Sequence, residues 1–152
     1  MKLLHEEKEL RMKKITAFAM SMAAVLVLNG CGGGDTVIDP GPELVSLFLV
    51  DDFGYGIDHI PYTCVNAYDE IVTNDFTTAD GEFVFALGDR CTFDLFGLDG
   101  DLLEPLYIVD VDWFGKDDIP YECDNGVDFT SGTTDFDGWF AYPEDAYCKF
   151  YL

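Results

Sequence analysis

Apolar and polar residues alternate with a period of two along most of the chain from Leu44 onward. Leu44–Val50 (LVSLFLV) reads as a buried strand by its length and apolarity. After it, Ile60, Tyr62 and Cys64 fall on one face, then Phe83, Phe85 and Leu87, then Cys91, Phe93 and Leu95. The series then starts again: Leu106–Val111, then Ile119, Tyr121 and Cys123, then Phe140 and Tyr142, then Cys148, Phe150 and Leu152. Period-two patterning broken by turn residues predicts strands throughout, and no segment after Cys31 carries a helical stripe. Pro61 and Pro120 are expected at strand starts or on an edge, because proline cannot donate to a ladder. Asp80-Gly81 and Asp137-Gly138 are expected as hairpin turns.

The pattern repeats because the chain does. Ile-Pro-Tyr-x-Cys, then Asp-Gly-x-Phe, then Cys occurs at Ile60–Cys64, Asp80–Phe83 and Cys91, and again at Ile119–Cys123, Asp137–Phe140 and Cys148. First cysteine and aspartate lie 16 residues apart in one copy and 14 in the other; aspartate and second cysteine lie 11 apart in both. This is an internal duplication. It divides the chain into residues 44–98 and 105–152, joined by a linker at 99–104. The fold class is all-β: two tandem repeats forming a small β-sandwich or a pair of sandwiches.

Composition changes the picture in two ways. Aromatic residues make up 15% and apolar residues 49%, enough for a packed core. Charge is the second. Three of the 30 acidic and five of the 8 basic side chains precede Cys31, which leaves 27 acidic against 3 basic. A field of that sign repels phosphate backbones and excludes nucleic acid as a partner.

Residues 1–30 read as an export signal. Lys13-Lys14 precede the apolar run Ile15–Leu28, which at 14 residues is too short to span a bilayer. Met12 is an alternative start. The run ends in Leu28-Asn29-Gly30-Cys31, which resembles the lipobox of bacterial lipoproteins. That resemblance implies cleavage before Cys31, its lipidation, and a membrane partner through the lipid. Gly32 rather than aspartate after Cys31 implies, by analogy with enteric sorting, the outer membrane of a bacterial cell envelope. Residues 31–43, with Gly32-Gly33-Gly34 and Pro40-Gly41-Pro42, are a flexible tether.

Once Cys31 is lipidated, Cys64, Cys91, Cys123 and Cys148 remain. An even number in an exported chain reads as disulfides, and no Cys-x-x-Cys pair suggests zinc. Four cysteines allow three pairings; a unit copied whole carries its own bridge, which selects Cys64 with Cys91 and Cys123 with Cys148. Two further chemistries stand beside this one. Asp51, Asp52 and Asp58 follow the first strand of one repeat, and Asp110, Asp112 and Asp117 that of the other. Such clusters can cage calcium or form an acidic loop. An EF-hand match at Asp110 fails at its fifth position, Phe114, and its twelfth, Tyr121. Trp113 and Trp139 can stack on sugars or pack against the sheet.

Thr134-Asp135-Phe136-Asp137-Gly138-Trp139-Phe140 resembles the strand-turn-strand core of carboxypeptidase-regulatory-like (prealbumin-like) and bacterial immunoglobulin-like modules. Residues 77–83 follow it with Thr78 in place of the aspartate. The resemblance implies spacers, adhesive domains or accessory binding domains without catalysis. A Ser/His/Asp set would have to use His59, with no motif around it. The expectation is a non-enzymatic, envelope-anchored structural or adhesion-type module with a protein or glycan partner. The alternative is a carbohydrate- or calcium-binding accessory protein. An enzyme is the third reading and requires two facing carboxylates in a cleft.

Overall fold

A computed structural model describes residues 40–152; the segment expected as an export signal and Cys31 lie outside the described residues. Among the described residues nine strands form: β1 Leu44–Asp51, β2 Pro61–Val65, β3 Ile71–Phe76, β4 Glu82–Ala86, β5 Arg90–Asp94, β6 Leu106–Val109, β7 Pro120–Asp124, β8 Phe129–Thr133 and β9 Tyr147–Tyr151. They make two antiparallel sheets, of order β4-β1-β6 and β3-β2-β5-β9-β7-β8. Pro61 and Pro120 open β2 and β7, as their missing N–H requires.

The six-stranded order reads the same from either end. β3, β2 and β5 come from the first copy, and β8, β7 and β9 hold the equivalent places in the second. At the centre, Cys91 faces Phe150, Thr92 faces Lys149 and Phe93 faces Cys148. In the small sheet Phe48 faces Val109, Leu49 faces Ile108 and Val50 faces Tyr107. Both registers are self-complementary, the signature of an approximate two-fold axis. The two copies therefore share both sheets and build one sandwich, and Asp39–Leu152 form one compact unit.

The core records the duplication ring by ring. Phe83 meets Phe93 edge-on at 4.8 Å, and their counterparts Phe140 and Phe150 do the same at 4.8 Å. Phe93 and Phe150 touch each other at 5.7 Å and join the two halves. Cys64–Cys91 links directly opposed residues of β2 and β5, and Cys123–Cys148 those of β7 and β9. The disulfide pairing is the one the duplication selects. All four cysteines are fully buried.

A buried threonine fastens each copy. Thr77 Oγ1 accepts from Ile60 N (2.9 Å) and donates to Ile57 O (2.6 Å). Thr134 Oγ1 accepts from Ile119 N (3.0 Å) and donates to Lys116 O (2.5 Å). Each hydroxyl satisfies a backbone donor and a backbone acceptor of the segment that leads into β2 or β7.

Three expectations need correction. The Asp-Gly turns are not hairpins between paired strands: they carry the chain from the large sheet to the small one. Each is a turn closed by the glycine N–H, Gly81 to Thr78 O (2.8 Å) and Gly138 to Asp135 O (2.9 Å). The glycines adopt φ 79° and 83°, and a Cβ on either would lie about 2 Å from the carbonyl oxygen of Leu49 (2.1 Å) or Ile108 (2.0 Å). Leu87 does not face inward; it is 68% exposed, because β4 stops at Ala86, whose N–H is taken by the Asp89 carboxylate. β6 ends at Val109, and Val111 is exposed. Residues 99–104 hydrogen-bond to a core residue: Tyr142 accepts from Asp101 N, and its N–H and hydroxyl donate to Asp101 and Glu104.

The copies differ in one strand. The equivalent of β4 in the second copy shrinks to a single bridge, Trp139 to Tyr107. Pro105 and Pro143 stand where the first copy has Ser46 and Ala86, and the Tyr142 N–H goes to Asp101 Oδ1.

Candidate functional site: an aromatic face on the small sheet

Strand alternation builds this face. In β1, Leu47 and Leu49 point into the core, so Phe48 and Val50 point out; in β6, Leu106 and Ile108 point in, so Tyr107 and Val109 point out. Phe140 is buried in the core, which turns its neighbour Trp139 outward beside its bridge partner Tyr107. Trp113 reaches the same face by stacking on Phe48, with centroids 5.6 Å apart and planes 27° from parallel. Phe48, Tyr107, Trp113 and Trp139 are all half-buried.

Loops of matching construction border the face. Asp51 Oδ1 accepts from Phe53 N (2.9 Å) and Tyr55 N (2.8 Å). Asp110 Oδ1 accepts from Asp112 N (2.9 Å) and Phe114 N (3.0 Å). Each loop returns to its strand through a bridge, Val50 with Gly56 and Val109 with Gly115. At the Trp139 end, Asp135 Oδ1 accepts from Asp137 N (3.0 Å) and Trp139 N (2.9 Å). Phe53, Tyr55 and Phe114 are exposed on these loops. Partial burial, then the carboxylates of Asp52, Asp135 and Asp137, hold the Tyr107 hydroxyl above the ordinary phenol range.

The aspartates expected as calcium ligands are placed as follows. Asp51 and Asp110 are spent on their own loops, Asp58 pairs with His59 Nδ1 at 2.7 Å, and Asp52, Asp112 and Asp117 are exposed. Among the described residues no group of three or more His, Cys, Asp or Glu side chains is placed to hold a metal ion. Trp113 and Trp139, expected as sugar-stacking or packing residues, lie on one face. Phe48 and Tyr107 escaped sequence reasoning because their strands read as apolar on both sides. The signal was their phase: each sits between two aliphatic residues of the inward set.

Compared with protein-family models, curated proteins and solved structures, the chain matches none of them.

Proposed function

We propose that this protein is a non-enzymatic binding module of adhesion type, held at a bacterial cell envelope by a lipid on Cys31. The observation that carries the binding role is the aromatic face. Both copies contribute to it, Phe48 from the first and Tyr107, Trp113 and Trp139 from the second, on a sandwich braced by two disulfides. Rings fixed by a rigid support offer contact area at low entropic cost. The disulfides suit an oxidising compartment, and Leu28-Asn29-Gly30-Cys31 supplies the anchor. The resemblance to carboxypeptidase-regulatory-like and bacterial immunoglobulin-like modules supports the same role.

The row of rings across both copies favours one second reading, a carbohydrate-binding accessory protein, in which Trp113 and Trp139 stack on sugar faces. Binding of the purified protein to an array of glycans and peptides separates the two. A Trp113-dependent signal on either class supports a binding module; none on either leaves only a spacer. The anchor is tested separately: Cys31→Ala abolishes labelling by a fatty-acid probe, and equal labelling of the variant removes lipidation from the account.

A further inference from the structure

We propose that the aromatic face takes a cationic partner, an extended segment rich in lysine and arginine. The proposal rests on the reading of the protein as a binding module and names the chemistry of what it binds. The face offers the stacked rings of Phe48 and Trp113 and, on bridged backbone positions, the rings of Tyr107 and Trp139. Aromatic faces attract ammonium and guanidinium groups, tryptophan most strongly.

The surrounding charge selects among ligands that rings alone would accept. Asp51, Asp52, Asp110, Asp112, Asp135 and Asp137 all sit on the three loops that border the face, and Lys116, at the end of one loop, is the nearest basic residue in sequence. Asp51, Asp110 and Asp135 are held in place because one carboxylate oxygen of each binds two backbone N–H groups of its loop. Their second oxygens take no hydrogen bond among the described residues. Arg90, Lys116 and Lys149 are the only lysine or arginine side chains after Cys31, and Arg90 is paired with Asp69. The field of the whole domain therefore draws cations toward a surface that already carries cation-binding rings. The same field repels acidic glycans and a second copy of this chain, and a neutral saccharide gains nothing from it.

Both tryptophans of the chain lie on this face, so their fluorescence reports its occupancy. The test titrates the full-length protein with a lysine/arginine-rich peptide, an acidic peptide of equal length and neutral oligosaccharides. The expected result is a saturable fluorescence change with the basic peptide alone, weakening steeply with added salt. Trp113→Gly places in the second copy the residue that the first carries at Gly54, and is expected to weaken binding about tenfold. Asp52→Asn with Asp112→Asn, both exposed, is expected to weaken it similarly while both tryptophans remain. Basic-peptide binding that is equally tight in all these variants would be diffuse attraction to the acidic surface and would overturn the proposal. A salt-insensitive response to a saccharide would overturn it while leaving the binding module in place. No response to any ligand would overturn both.

Discussion

Trp113 adopts φ 65° at the backbone position that Gly54 holds at φ 77° in the other copy. Both N–H groups close the same turn, Gly54 to Asp51 O and Trp113 to Asp110 O, each at 3.0 Å. Glycine takes a positive φ freely, whereas a bulky side chain there is strained. The second copy tolerates that strain and gains an indole stacked on Phe48. Trp113→Gly therefore relieves about 1–2 kcal/mol of backbone strain and loses about 1 kcal/mol of ring stacking together with about 1–2 kcal/mol of apolar burial. We expect its melting temperature to fall by no more than about 5 °C. A fall of 10 °C or more, on the order of 2 kcal/mol, would mean that Trp113 serves packing rather than recognition.

The threonine pair gives a matched stability test. Thr134→Val keeps the shape but leaves the Ile119 N–H and the Lys116 carbonyl without the hydroxyl. The expected loss is about 1–3 kcal/mol. Thr77→Val should cost a similar amount, since its hydroxyl makes the same two bonds. Chemical denaturation of both variants checks this; a loss in only one would show that the copies are not held alike.

The disulfides are open to direct mapping. Trypsin can cut after Arg90, Lys116 and Lys149. Without reductant, the peptide ending at Arg90 should remain joined to residues 91–116 through Cys64–Cys91. Residues 117–149 should appear alone, lighter by two hydrogens, with Cys123–Cys148 intact. Each bridge closes a loop of sequence separation 27 or 25. In the chain-entropy model that is worth roughly 3 kcal/mol, so reduction should lower the melting temperature sharply.

Alkaline pH should weaken the fold in a stated window. Burial, then the carboxylates of Glu104, Asp101 and Asp99, hold the Tyr142 hydroxyl well above the usual phenol range. The unfolded chain therefore ionises first, near pH 10. Stability from this group is complete below that pH and is lost as pH rises toward the folded value. Tyr62 is shifted the same way, chiefly by burial, so it adds to the loss. Tyr142→Phe should be about 1 kcal/mol less stable at neutral pH, for want of its bond to Glu104 O. Its stability should then fall less steeply than the parent's above pH 10. Parallel curves for the two proteins would contradict the assignment.

Much of this fold was legible in the sequence because the duplication repeats each signal. Period-two runs marked the core strands, and equivalent cysteines marked their own partners. β3 and β8 were not legible. They are the edge strands of the large sheet, are largely exposed, and so never needed alternation. The Asp-Gly corners were legible as turns but not as crossings between sheets, since the same local geometry serves both. The aromatic face was half legible: Trp113 and Trp139 stood out by type. Phe48 and Tyr107 were hidden in apolar strands until their facing sheet was known. The shared sandwich could not be read from one copy, because the self-complementary pairings join residues of different copies.

That sharing is the claim on which the single aromatic face depends. Hydrogen exchange followed by mass spectrometry, at increasing denaturant with the disulfides intact, tests it most directly. Peptides covering β1, β2 and β5 should lose protection in one transition with those covering β6, β7 and β9, because each small- and large-sheet pairing at the centre crosses between copies. Two transitions, with residues 44–98 and 105–152 opening at different denaturant concentrations, would contradict the account and describe two separate domains.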